Sequence, residues 1–146
     1  MTLQVKFKKM SSNTKLPFKG SLDAACHDVY AHSITFENQK MVIGLGFKTE
    51  IPRGYKGVLI PRSNLTKFQW MMNNSMGIID ADYRGEWKMI LTPLNGDLLL
   101  NALPYGVGDR VGQIYFEQIL PVEFIEVEEL SDSDRGTGGF GSSGMS

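Results

Sequence analysis

The chain has 146 residues, 42% of them apolar and 21% charged, with a formal net charge of −1. That length predicts one domain with a hydrophobic core of its own, and the near-zero charge argues against nucleic-acid or membrane-surface binding. One cysteine, Cys26, excludes an internal disulfide framework; with no signal-like opening and no apolar run of membrane length, the expected setting is soluble, intracellular and cytoplasmic.

In chain order, "LQVKFKKM" (3–10) alternates apolar and polar residues and predicts a strand. "LDAACHDVYA" (22–31) brings His27 beside Asp28, a pair that suggests a metal-dependent phosphohydrolase. That class needs several histidines on helices, and the chain has only His27 and His32. Cys26 is expected to be a packed small residue, since neither histidine has an activating geometry. "MVIGLGFKTEIP" (41–52) and "YKGVLIPRS" (55–63) read as strands closed by Pro or Gly. "NLTKFQWMM" (64–72) is the one helical candidate, with Leu65, Phe68 and Met72 on one face. "WKMILTPLN" (87–95) and "DRVGQIYFEQIL" (109–120) continue the strand pattern, and "VEFIEVEEL" (122–130) reads as the last strand. Six prolines and sixteen glycines interrupt nearly every window for a long helix. The expected architecture is an all-β sandwich or barrel over 1–130, followed by a Gly-rich arm over 131–146.

Four stretches carry candidate chemistry. "NSMGIIDADYRGEW" (74–87) reads as a hairpin whose polar turn is "DADYRG". Asp and Gly there are ordinary turn residues; alternatively Asp80, at the end of the apolar "GII", is held rigidly in a pocket where its carboxylate can take a proton from water. "LIPRSNLT" (59–66) sets Arg62 and Ser63 where strand gives way to the helical candidate. Two backbone amides near the helix start, with the Arg62 and Ser63 side chains, form an anion site; alternatively Ser63 or Asn64 caps the helix, and both can hold, since the two uses draw on the same unpaired N–H groups. In "GDRVGQI" (108–114) Gln113 is the odd polar residue of an apolar run. "DRGTGGFGSSG" (134–144) holds five glycines around Phe140. It is a loose tail by composition, or a flexible arm whose Arg135 and small residues wrap phosphate oxygens. No GxxxxGK[ST] loop is present.

Taken in order, these stretches resemble the five motifs of the trimeric deoxyuridine triphosphatase (dUTPase) family: "AACHDVYA", "PRSNLT", "GIIDADYRGE", "DRVGQI" and "RGTGGFGSSG", spanning Ala24 to Gly144. The third and fifth are the closest matches. The first departs most, with Cys26 and His27 where the family has Gly and an aromatic before the Asp; Asn64 and Thr66 also stand where smaller residues are commoner. The resemblance implies hydrolysis of dUTP to dUMP and pyrophosphate with Mg²⁺, in a homotrimer of distorted jelly-roll β-barrels with sites shared between subunits. It implies that the arm is a lid over a neighbour's site. It gives Asp80 the attacking water and the sugar 3′-OH, and sets Tyr83 against the deoxyribose. The backbone of Gly77, Ile78 and Ile79 would meet the uracil edge, with Asn74 nearby. Arg62, Ser63, Asn64 and Gln113 would meet the α- and β-phosphates. Arg135, Gly141, Ser142 and Ser143 would close on the γ-phosphate, with Phe140 stacked on uracil, and Asp28 would hold Mg²⁺ through a water. Arg84 and Arg110 are expected to pair with acidic neighbours.

Two rivals stand beside this reading. A deoxycytidine triphosphate deaminase has a related fold and trimer but lacks the uracil-stacking arm. A regulatory protein that uses such a body to bind a partner would not need Asp80 and Phe140 together. A second, regulatory partner alongside catalysis stays open, and neither nucleic acid nor a membrane is expected as a partner.

Overall fold

A computed structural model describes residues 1–144. It is all-β, with ten strands: β1 Lys6–Lys9, β2 His27–Tyr30, β3 Ser33–Glu37, β4 Lys40–Gly44, β5 Phe47–Glu50, β6 Tyr55–Pro61, β7 Trp70–Met72, β8 Gly77–Ile79, β9 Lys88–Pro93 and β10 Arg110–Gln118. Every pairing between strands is antiparallel. The strands form a β1–β5 ribbon and two four-stranded sheets, ordered β2-β10-β6-β8 and β3-β4-β9-β7. Among the described residues the ladders remain three separate sheets.

Alternation decides which side chains enter the core. On β9, Met89, Leu91 and Pro93 point inward while Lys88 faces out, and Met41 and Ile43 do the same on β4. Trp87, just before β9, is fully buried, packs 5.5 Å from Phe47 between ring centroids, and donates its indole N–H to Thr49 Oγ1 at 3.0 Å. Gly57 on β6 makes room for it: a Cβ there would lie 2.6 Å from the indole. The β3–β4 hairpin turns on Asn38 and Gln39, both with positive φ (49° and 61°), the conformation of a tight two-residue turn.

The β-rich stretch 41–52 is two strands, because Gly46 takes a φ of 75° and carries the chain from the β4 ladder into the β1–β5 ribbon. Four expectations change. The helical candidate is a 3₁₀ turn, Ser63–Lys67, followed by strand β7. Trp70 and Met72 are buried and Met71 exposed, so the tail of that stretch follows a two-residue period satisfied by pairing to β9. The cap is Arg62, with no side-chain capping bond, rather than Ser63 or Asn64. "DADYRG" does not close a hairpin: β8 pairs with β6, and β9 pairs with β4 and β7, so the segment crosses between sheets. Finally, 122–130 is no strand. Among the described residues the last strand ends at Gln118, and the segment joins no ladder.

Candidate functional site

The crossover after β8 forms the first cluster. The Tyr83 N–H donates to the Asp80 carbonyl at 3.1 Å and closes a turn. Arg84 clamps it by donating to the Ala81 carbonyl at 2.7 Å. The Tyr83 hydroxyl donates to the Glu86 carbonyl at 3.1 Å, which lays the ring over Gly85. Any Cβ at residue 85 would come within 2.3 Å of that hydroxyl, so this close approach requires glycine. The result is a concavity of about 190 Å³ lined by Ile78, Ile79, Asp80, Tyr83, Glu86, Trp87 and Lys88. Asp80 is exposed and free to meet water. Beside it β8 is the outer strand of its sheet, so one side of its backbone offers hydrogen-bonding groups to a ligand. Asn74 lies in the exposed turn between β7 and β8.

The second cluster joins three neighbouring strands. Asp28 on β2 lies across from Gln113 on β10, and Gln113 lies across from Ile60 on β6. Both Asp28 oxygens are engaged: Oδ1 accepts from Arg62 Nε at 3.0 Å, and Oδ2 from Arg110 Nη1 at 3.2 Å. Arg110 thus has the acidic partner expected of it. Arg84 does not; among the described residues it forms no ion pair and donates to carbonyls, since the turn it clamps offers those first. Gln113 donates to the Pro61 carbonyl at 3.1 Å. Ser63 is exposed at the start of the 3₁₀ turn, whereas Asn64 turns inward and accepts from the Tyr105 hydroxyl at 2.9 Å. Cys26 is unpaired, and burial followed by the Asp28 charge pushes its thiol pKa up, which keeps it a thiol.

No group of three or more His, Cys, Asp or Glu side chains converges among the described residues. With both oxygens of Asp28 bound to guanidinium groups, direct coordination of an ion does not fit. One carboxylate acting through water on a hydrated ion held by phosphates does fit Mg²⁺ chemistry.

The third group is the arm. Its described hydrogen bonds are internal: Gly138 N–H to the Arg135 carbonyl, Ser142 N–H to Gly139, and Arg135 Nε to the Gly138 carbonyl at 2.7 Å. Arg135, Gly141, Ser142 and Ser143 surround a hollow of about 470 Å³. Phe140 points outward, fully exposed, with a positive φ of 52°.

The three groups stand apart within one chain. Ile79, next to Asp80, pairs with Gly57 at the start of β6, while Arg62 follows the end of β6. Five residues of extended chain separate them, roughly 16 Å. Glu86 and Lys88 at the first cluster were not foreseen; their place directly after "DADYRG", on alternate positions, was the available signal.

A dUTPase family model matches residues 12–144. The chain is 38% identical to a deoxyuridine 5′-triphosphate nucleotidohydrolase of Cytophaga hutchinsonii, covering 99% of this chain and 94% of that one. It is 37% identical to the enzyme of that name from Fowlpox virus, covering 94% of each. The fold is similar to that of the Staphylococcus bacteriophage 80alpha dUTPase solved with dUpNHpp, with a TM-score of 0.79, 26% identity, and 99% of this chain and 100% of that one covered.

Proposed function

The chain belongs to the dUTPase family, and from that premise we propose that it hydrolyses dUTP to dUMP and pyrophosphate by attack of water on the α-phosphorus. In a cell this removes a uracil nucleotide from the pool used for DNA and supplies dUMP for thymidylate synthesis.

Asp80 is the general base in this reading, a role typically worth ~10²–10⁴ in rate. Its support is an exposed carboxylate at the rim of a concavity whose wall is fixed by a hydrogen-bonded turn. The β8 edge at Gly77, Ile78 and Ile79, with Asn74 nearby, takes the uracil edge. A 5-methyl group there would overpack a strand anchored to β6, at roughly 1–3 kcal/mol, and cytosine would leave buried donors and acceptors unmatched. Tyr83, held over Gly85, leaves no room for a 2′-hydroxyl. Arg62, Ser63, Asn64 and Gln113 meet the α- and β-phosphates, and Arg135, Gly141, Ser142 and Ser143 meet the γ-phosphate while Phe140 stacks on the base.

The observation that carries the arrangement is the separation of Asp80 from Arg62 at opposite ends of β6. One substrate engages both most simply when they come from different chains. We therefore propose a homotrimer whose sites lie between subunits, with residues 1–130 as the body and 131–146 as an arm that closes on a neighbour. Val122, Phe124, Ile125 and Leu130 support it: at 66%, 94%, 76% and 87% exposed, they lack cover in their own chain. Mg²⁺ enters this reading with the triphosphate, where it neutralises phosphate charge. Asp28 would hold it through water once Arg62 has turned to phosphate.

The deciding assay incubates the protein with dUTP, dTTP, dCTP and UTP in turn, with Mg²⁺, and measures pyrophosphate. We expect dUTP to be cleaved at least about a hundredfold faster than the others. Comparable turnover of UTP removes Tyr83 from its role, and no turnover of dUTP removes the reading.

A further inference from the structure

Glu86 has no part in the chemistry proposed above, yet it is tied in two directions. Its backbone carbonyl accepts from the Tyr83 hydroxyl at 3.1 Å. Its side chain reaches the other way, where Oε1 accepts from the Gly46 N–H at 3.0 Å. Glu86 therefore connects the tyrosine assigned to the sugar with the bend between β4 and β5.

That bend is shaped to receive the carboxylate. The Leu45 N–H donates to the Trp87 carbonyl at 3.0 Å, and the Trp87 N–H donates to the Phe47 carbonyl at 3.1 Å. Gly46 stands between these two contacts, and its N–H takes part in neither. A buried amide without an acceptor is costly, and Glu86 supplies an acceptor that carries charge. Two glycines make the space. At Gly44 a Cβ would lie 2.5 Å from Glu86 Oε1, and at Gly46 a Cβ would lie 2.4 Å from the His32 ring. Gly46 is also held from its other side, since its carbonyl accepts from the Met10 N–H at 2.8 Å and from Thr14 Oγ1 at 2.9 Å. The turn that carries Tyr83 is exposed and bonded mostly to itself. Arg84 reaches the Thr49 carbonyl only at 3.5 Å, so the Glu86 side chain is the shorter tie to the body.

We propose that Glu86 is a positioning residue for sugar selection. Its carboxylate, anchored on Gly46, fixes the carbonyl that holds the Tyr83 hydroxyl, and so fixes the ring that excludes a 2′-hydroxyl. The inference rests on the reading of Tyr83 above and adds what keeps that ring in place. Exclusion depends on position: a ring free to swing away from Gly85 admits the hydroxyl it is there to reject. Loss of the anchor therefore costs selectivity between dUTP and UTP more than it costs turnover of dUTP.

The test measures kcat/KM for dUTP and UTP in the full-length protein and in Glu86→Ala, Glu86→Gln, Tyr83→Phe and the double variant Glu86→Ala with Tyr83→Phe. Glutamine keeps an oxygen that accepts from Gly46; alanine does not. We expect the dUTP-to-UTP ratio to fall about tenfold in Glu86→Ala, through faster turnover of UTP, as for one lost charge-assisted hydrogen bond. Glu86→Gln should stay within about twofold of the unaltered protein, because a neutral acceptor still pairs. Tyr83→Phe should also lower the ratio, and the double variant should lower it no further, because both changes act on one ring. Hydrogen exchange at the Gly46 amide reads the anchor without substrate, and should be fast only where Glu86 is alanine. Equal exchange in all the proteins would overturn the proposal. So would an unchanged ratio in Glu86→Ala, no rescue by Glu86→Gln, or additive losses in the double variant. A lower melting temperature with the ratio intact would make Glu86 a structural residue only. Tyr83→Ala separates the two failures. If it lowers the ratio and Glu86→Ala does not, only this proposal falls; if it too leaves the ratio unchanged, the reading of Tyr83 falls and takes the proposal with it.

Discussion

Phe47 and Trp87 in the body are 1% and 0% exposed, while Phe124 and Phe140 in the tail are 94% and 114% exposed. The residue types are similar, and the difference lies in what surrounds them. Phe47 begins a strand paired to β1 and packs on Phe7 and Trp87. Phe140 sits among turns that bond only to themselves. An aromatic in the body is part of the fold, whereas one in the tail is available to a ligand or another chain. This comparison separates substitutions expected to act on stability from those expected to act on turnover.

The largest effect should come from the tail. Truncation after Ser133 is expected to nearly abolish dUTP turnover and leave the melting temperature almost unchanged, because the removed residues make no described hydrogen bond to the body. A marked fall in melting temperature would place the arm in the fold. Mixing this truncated chain with full-length Asp80→Asn sharpens the contrast. Each is expected to be nearly inactive alone, and in the proposed trimer an arm acting between chains would give mixed assemblies some sites with both Asp80 and an intact arm. Only background turnover in co-purified mixed trimers would mean that the arm serves its own chain.

Next comes Asp80→Asn. If Asp80 is the proposed general base, the change should lower kcat by ~10²–10⁴ with the fold and nucleotide binding intact. A rise in KM alone would make Asp80 a binding residue. Trp87→Ala is the counterpart in the body. It should destabilise by about 3–5 kcal/mol in chemical denaturation, because the indole is fully buried and bonded to Thr49. Phe140→Ala should leave the denaturation midpoint where it was and weaken productive closure.

Much of the body was legible from local pattern. The strands ending at Pro61, Pro93 and Gln118 follow apolar runs with turn residues at their ends. What escaped was decided by pairing at a distance. β2, β3 and β7 are only three to five residues long, too short for a periodic pattern to mark them out from the turns around them. The segment 122–130 has strand-like residues and no strand because, among the described residues, it pairs with none of the sheet edges its own chain offers. The Asp28–Arg62–Arg110 cluster joins residues up to 82 positions apart, and only the ladder of β2, β10 and β6 brings them together.

The smallest effect concerns Asn64, proposed at the phosphates, whose side-chain oxygen accepts from the Tyr105 hydroxyl. Burial, the largest cause, raises the phenol pKa; Asp109 adds to this and Arg62 opposes it. The folded chain therefore holds the phenol proton more tightly than the unfolded chain does. The stability this contributes is fully present below the unfolded pKa of about 10, and it is lost as pH rises from there through the higher folded value. Tyr105→Phe removes both the titration and the hydrogen bond, at about 1 kcal/mol near neutral pH. Unfolding measured for both proteins between pH 7 and 11 should show a constant gap up to about pH 10 and a narrowing one above it. A gap that stays constant would mean that Tyr105 titrates alike in both states. The same variant frees Asn64 Oδ1 without touching Arg62 or Gln113. An unchanged KM for dUTP in Tyr105→Phe would assign Asn64 to the body, and a shifted KM would keep it at the phosphate site.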